Sequence, residues 1–138
     1  MKDIEIIKGW FSILGHQPLN NRIISFLDEL DSDELKILIL QCKQDEADYS
    51  NYFIEEVEDL ISKNENKWFQ IKGEDRTRLL SFYRVMGKGF INPERYIKYI
   101  EHLLEVKVKK KERLITIFYI LATALLTGLS TKIVELIL

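Results

Sequence analysis

The feature that most constrains the fold of this sequence is a stretch of 18 residues without a charge, from Leu114 to Thr131. Twelve of these residues are apolar, five are Thr or Ser, and one is Gly128. An α-helix rises about 1.5 Å per residue, so the run is roughly 27 Å long, just short of a bilayer's hydrocarbon core of about 30 Å. Its continuation to Leu138 exceeds that thickness. The sequence therefore predicts a long C-terminal helix with a candidate membrane span at residues 114–138.

The composition of the run favours insertion into a membrane but leaves an alternative open. Nine Leu, Ile or Phe residues contribute roughly −3 to −5 kcal/mol to insertion, and the hydroxyl residues subtract from this sum. A charge-free run at the short end of spanning length is also typical of a helix buried at the centre of a soluble bundle. The sequence therefore leaves two locations open, a membrane and the soluble cytoplasm, and it favours the membrane.

Five basic residues stand immediately before the charge-free run, within residues 107–113. Such a cluster marks the cytoplasmic flank of a transmembrane helix and attracts anionic lipid. We therefore expect a protein of the bacterial inner membrane, with its N-terminal part in the cytoplasm, its C-terminus outside and anionic lipid as a partner. The cluster, called the basic flank below, consists of Lys107, Lys109, Lys110, Lys111 and Arg113.

The hydroxyl residues of the run share one face of the predicted helix. At about 100° per residue they fall within an arc roughly 100° wide. Small hydroxyl residues on one face of a membrane helix line helix–helix contacts or a wet lumen, and Ala124 with Gly128 adds a pair of small residues nearby. The sequence thus predicts a homo-oligomer. Its contact surface, called the hydroxyl stripe below, consists of Thr116, Thr123, Thr127, Ser130 and Thr131.

The rest of the chain predicts further helices and no strands. Apolar residues recur at helical spacing between breaks such as Pro18, and Asn92-Pro93-Glu94 combines a capping residue, a proline suited to the first helical position and a first-turn carboxylate. The predicted fold is an all-α helical bundle of about six helices. We divide it into a cytoplasmic helical domain, residues 1–92, and a long C-terminal helix, residues 93–138.

The charge of the chain is unevenly distributed along its length. The net charge is −2, but residues 1–66 carry 6 basic and 15 acidic residues, or −9, and residues 67–138 carry 14 and 7, or +7. An acidic half would stay away from an anionic bilayer. It could equally pair with the basic half of another subunit or with a protein partner. The alternative function is accordingly a soluble all-α adaptor or oligomerisation protein with charge-complementary halves.

Arg95 and His102, separated by six residues, form a third pattern. It resembles the Arg-(four to six residues)-His motif of the HEPN ribonucleases, which are small all-α proteins. In that family a dimer brings two such motifs together on RNA, so the resemblance implies a HEPN-like ribonuclease with these two catalytic candidates. The residue after Arg95 is Tyr96, where members of the family usually carry a polar side chain.

The acidic pairs Asp45/Asp48 and Glu55/Glu58 have the spacing of helical magnesium ligands. They resemble those of the all-α nucleotide pyrophosphohydrolases, which place two such pairs on facing helices. We interpret them as part of a solvated acidic surface. A single cysteine, Cys42, and two histidines are too few for a closed zinc site, so no metal and no cofactor is expected.

These patterns together favour a small oligomeric membrane-anchored helical protein, pore-like or membrane-perturbing, for example in bacterial defence. We expect no enzymatic activity and no nucleic-acid partner. The protein partners expected are further copies of the chain and, on the acidic half, another protein.

Overall fold

A computed structural model of the chain describes residues 2–44, 54–86 and 89–137. Within these residues it contains six helices and no strand, which confirms the predicted all-α bundle and its long C-terminal helix. The structure divides into two compact units, Met1–Leu103 and Leu104–Leu138. The helices are α1 (Ile4–Gly15), α2 (Asn21–Asp28), α3 (Ser32–Lys43), α4 (Ile54–Asn64), α5 (Glu74–Met86) and α6 (Pro93–Ile137).

The first three helices begin at polar residues that bind free backbone amides. The Asn20 side chain accepts hydrogen bonds from the amides of Arg22 and Ile23 at the start of α2. Asp31 caps α3 and exchanges hydrogen bonds with Glu34, because the side chain of each residue accepts from the backbone amide of the other. These caps satisfy amides that lack partners inside a helix, and they explain why the chain turns at these residues.

Helix α1 forms the centre of the first unit. Nine of its residues are buried, including Trp10 and Phe11. Its main packing partner is α5, and a Cβ atom added at Gly9 would meet the Leu79 Cγ atom at 3.2 Å, so the two helices approach closely at this glycine. A helix apolar on nearly all sides belongs in a core, and in this bundle α1 occupies that place.

The aromatic segment between α4 and α5 packs on this core. Trp68 contacts Trp10 with ring centroids 4.9 Å apart in a T-shaped arrangement, and the Trp10 Nε1–H group donates to the Trp68 carbonyl oxygen at 2.7 Å. Ile71 is buried in the same region. Both tryptophans are buried and act as packing anchors of this core.

The beginning of α6 is held against the end of α1. Tyr96 is fully buried, and its hydroxyl donates to the carbonyl oxygens of Leu14, at 3.2 Å, and Gln17. The ring of Phe90 lies 5.8 Å from that of Tyr96, and the Ile91 amide donates to the Gly15 carbonyl oxygen at 2.9 Å. These contacts fix the first turns of α6 within the unit Met1–Leu103.

Candidate membrane segment and its flanks

Helix α6 is continuous from Pro93 to Ile137. Asn92 precedes it with a positive φ of 58°, a conformation that Asn adopts more readily than most residues, and its carbonyl oxygen accepts from the Arg95 amide at 3.1 Å. Gly128 does not interrupt the helix, and a Cβ atom placed there would have no atom within 4 Å. The helix is therefore long enough to carry both the basic flank and the whole candidate span.

The apolar residues of the candidate span are not buried by the chain. An 18-residue window of α6 has a mean hydropathy of 1.9, and none of it is buried. By length and composition this helix could cross a membrane. The alternative of a core helix finds no support in the burial of this window. The exposed large apolar side chains beyond the basic flank are Leu114, Ile115, Ile117, Phe118, Tyr119, Ile120, Leu121, Leu125, Leu126, Leu129, Ile133, Val134, Leu136 and Ile137.

All five residues of the hydroxyl stripe are exposed on α6, and three of them bond to their own helix. The Oγ1–H groups of Thr116, Thr127 and Thr131 donate to the carbonyl oxygens of Glu112, Thr123 and Thr127, at 3.0, 2.9 and 3.0 Å. Such bonds satisfy the hydroxyl proton inside the helix and leave the oxygen able to accept a further hydrogen bond. The stripe can therefore enter an apolar environment without unsatisfied donors at these three positions.

The basic flank is not uniform in its charge. Lys109 donates to the Glu105 carboxylate at 2.8 Å, and this hydrogen bond raises the pKa of Lys109. Lys110, Lys111 and Arg113 are exposed and form no ion pair with any residue that the structure describes. The clustering of the five basic residues in the sequence does not by itself show which of them has an acidic partner. The spacing of Glu105 and Lys109, four residues apart on one helix, was the signal that could have separated Lys109 from the others.

The two catalytic candidates, Arg95 and His102, lie on the exposed surface of α6. Both residues fall on one side of the helix, separated by about 20° at 100° per residue. Tyr96, between them in sequence, is buried and bonded to α1. The structure thus leaves both side chains exposed on one side of α6.

Of the two acidic pairs, the structure describes one. Asp45 and Asp48 lie outside the described residues, and Glu55 and Glu58 lie on α4. Glu58 accepts from Arg22 at 3.0 Å and from the Gln17 side-chain amide, so its carboxylate joins α4 to the start of α2. Among the described residues, no three His, Cys, Asp or Glu side chains form a cluster that could hold a metal ion.

Cys42 is a buried residue of α3. Burial raises the pKa of its thiol to about 12. A thiol in this environment stays protonated at neutral pH, is a poor nucleophile and packs as a small apolar side chain.

Comparison of the chain with known proteins gives no match to a protein family, to a curated protein or to a solved structure.

Proposed function

We propose that this is a membrane-anchored helical protein whose α6 inserts residues 114–138 into the bacterial inner membrane. The observation that carries the proposal is the exposure of the apolar window of α6, none of which is buried by the chain. Full burial of one large apolar side chain is worth about 1.5–3 kcal/mol, so a helix with many such side chains in water is strongly driven to a bilayer or to a partner surface.

The distribution of apolar residues around α6 favours spanning over lying flat on a membrane. At about 100° per residue, Ile115, Ile117, Phe118 and Leu121 alone cover an arc of roughly 160°. A helix that lies in the membrane interface has one apolar face and one strongly charged face. The segment from Leu114 to Thr131 carries no charge on any face, which suits a helix surrounded by lipid or by other apolar helices.

In this proposal, copies of α6 assemble through the hydroxyl stripe. A polar stripe on an otherwise apolar helix is more stable against another helix or a water-filled lumen than against lipid tails. The assembled helices would form a pore-like or membrane-perturbing structure, and such an activity would suit an effector in bacterial defence. The bundle of α1–α5 and the basic flank would remain in the cytoplasm, because the basic residues lie on the N-terminal side of the span.

Two single-cysteine variants test the insertion and its direction. Val108→Cys and Leu136→Cys place exposed thiols on either side of the charge-free run, while Cys42 is buried and serves as an internal negative control. In intact cells, a membrane-impermeant maleimide should label Leu136→Cys and not Val108→Cys, and both should react after the cells are opened. Equal labelling of both variants in intact cells, or labelling of neither after opening, would contradict the proposed topology.

A double substitution tests assembly through the stripe. Thr123→Leu with Thr127→Leu removes two central hydroxyls, and we expect a smaller oligomer in detergent and lower membrane permeability in cells. The matched control is Leu121→Ile with Leu125→Ile, which keeps side-chain volume on the opposite side of the helix. If the Thr double variant keeps the oligomer size and permeability of the original protein, the stripe is not the contact surface.

The second candidate function is the soluble adaptor. The exposed apolar residues of α6 would suit it if a partner protein covers them. Its acidic half, exposed on α3 and α4 at residues such as Asp33 and Glu55, would then contact the basic half of a second chain. Fractionation of cells separates the two proposals, since an adaptor of this kind would stay in solution without detergent.

A further inference from the structure

We infer that the basic flank binds the phosphate groups of anionic lipids through Lys110, Lys111 and Arg113, whereas Lys109 contributes little. The inference rests on the proposed function, because it requires α6 to be inserted. It goes beyond the attraction expected from the sequence, since Lys109 is paired with Glu105 whereas Lys110, Lys111 and Arg113 form no ion pair with any described residue.

The position of the three unpaired cations matches the depth of lipid headgroups. Lys110 precedes Leu114 by four residues, or roughly 6 Å along the helix axis. The headgroup region of each leaflet is about 5–7 Å thick, so with the apolar run in the hydrocarbon core these side chains lie among the phosphates. All three side chains are exposed on α6, so they are accessible to ligand.

The placement of the cations around the helix also suits lipid as the ligand. We measure positions around the helix from Thr116, at about 100° per residue. Arg113 falls at roughly 60°, at one edge of the hydroxyl stripe. Lys110 and Lys111 fall at roughly 120° and 220°, away from the stripe. Glu112 falls on the stripe side of the helix, as does the pair of Glu105 with Lys109. If the stripe faces neighbouring copies, two of the three unpaired cations face the surrounding lipid.

The paired lysine is expected to add little to lipid binding. The Glu105 carboxylate, 2.8 Å from the Lys109 Nζ atom, balances its charge. Removing both partners together leaves the net charge of the flank unchanged. Substitution of Lys110 and Lys111 instead removes two unpaired charges, and such charges each strengthen binding to an anionic surface by about fivefold when close to it.

The test uses the full chain with Ile115→Cys, an exposed position at the start of the charge-free run, labelled with a fluorophore and reconstituted into vesicles. The vesicles contain phosphatidylcholine and phosphatidylglycerol in equal amounts, with a bromine quencher on either one lipid or the other. Cys42 does not interfere, because it is buried and its pKa is raised to about 12. We expect the fluorophore to be quenched more strongly by brominated phosphatidylglycerol, and this preference to weaken at about 0.5 M NaCl.

Three sets of substitutions decide the outcome. Lys110→Gln with Lys111→Gln should reduce the preference for phosphatidylglycerol about 25-fold. Two controls should leave it unchanged: Glu105→Gln with Lys109→Gln, which removes the ion pair, and Lys67→Gln with Lys72→Gln, which removes two exposed charges from the first unit.

The possible failures are distinguishable. Equal quenching by the two brominated lipids would overturn the lipid inference and leave membrane insertion intact. Absence of quenching by both would contradict insertion itself, and with it the proposed function. Equal quenching by the two lipids, together with binding of duplex RNA that is lost in Lys110→Gln with Lys111→Gln, would assign the cations to nucleic acid and overturn the inference.

Discussion

The Tyr96 hydroxyl donates a hydrogen bond to the Leu14 carbonyl oxygen, 3.2 Å away, and thereby joins the first turns of α6 to the end of α1. The two residues are 82 positions apart in sequence, and both are buried. Burial raises the pKa of Tyr96, so the phenol remains protonated and able to donate over the physiological range. This contact holds the first turns of α6 against the end of α1.

Tyr96→Phe should destabilise the bundle. The substitution keeps the ring but leaves the Leu14 and Gln17 carbonyl oxygens without this donor, at a cost of about 1–2 kcal/mol. For a unit of this size that corresponds to a fall of roughly 4–16 °C in Tm, measured by circular dichroism of the full chain in detergent. Tyr99→Phe is the matched control, since its hydroxyl makes an exposed bond to Asp28. Equal Tm values for Tyr96→Phe and Tyr99→Phe would show that the buried bond has no special weight.

Gly15→Ala should be more damaging than Gly9→Ala, although both replace a buried helical glycine. A Cβ atom at Gly15 would lie 1.9 Å from the Phe90 Cδ1 atom, so the ring and the start of the Ile91 segment would have to move. At Gly9 the new atom would meet only the Leu79 side chain, at 3.2 Å. We expect a loss of about 1–3 kcal/mol for Gly15→Ala and a smaller one for Gly9→Ala, measured by urea unfolding. A reversed order would contradict the described contact of α1 with Phe90.

Stability should fall on mild acidification because of His16. Burial lowers its pKa below the usual 6.5, and a hydrogen bond with the Met86 backbone opposes this only in part. Below pH 6.5 the unfolded chain therefore binds a proton that the folded chain resists, and stability decreases as the pH falls through the lowered pKa. The aspartates with lowered pKa values, Asp3 and Asp31, lose their contribution only below the usual aspartate pKa of 3.8.

The variant His16→Gln should remove this dependence between pH 6.5 and the lowered pKa of His16, as followed by urea midpoints at a series of pH values. The other histidine of the chain, His102, is exposed. The variant His102→Gln should therefore show the same dependence of stability on pH as the original protein. If His16→Gln keeps the same decrease in stability as the original protein, another group is responsible for it.

His102→Ala tests the ribonuclease that the resemblance to HEPN proteins implies. The proposed function assigns no catalytic role to Arg95 or His102. We therefore expect the purified full chain and the His102→Ala variant to behave alike towards RNA. RNA cleavage that is lost in His102→Ala and in Arg95→Ala, with Lys98→Ala still active, would establish the enzyme instead.

The sequence predicted the helices well where local signals are strong. Asn92-Pro93-Glu94 predicted the start of α6, which begins at Pro93. The asparagine pair at residues 20 and 21 predicts a cap at either residue, and Asn20 is the one that caps α2. Local patterns could not show which helix is central, because α1 and α6 both carry long apolar runs. The difference depends on long-range packing such as that of Trp10 on Trp68, 58 residues away.

The residues of the candidate site were predictable from the sequence, but some of the hydrogen bonds of their side chains were not. The hydroxyl stripe and the basic flank follow from residue types and helical periodicity, and the structure places them on one continuous helix. The hydrogen bonds of Thr116, Thr127 and Thr131 to their own backbone depend on side-chain rotamers, which spacing alone does not determine. The spacing of Glu105 and Lys109, four residues apart, is the sequence signal for their pairing, and the contact at 2.8 Å distinguishes Lys109 from Lys110 and Lys111.

Extraction of cell membranes with alkaline carbonate and then with detergent tests whether α6 spans the membrane. If it does, the full chain stays with the membrane pellet in carbonate and is released only by detergent. A variant with Leu121→Arg and Leu125→Arg should lose this attachment, because each arginine at the centre of the span costs about 2.5–3.5 kcal/mol on insertion. Recovery of the original protein in the soluble fraction without detergent would contradict the account.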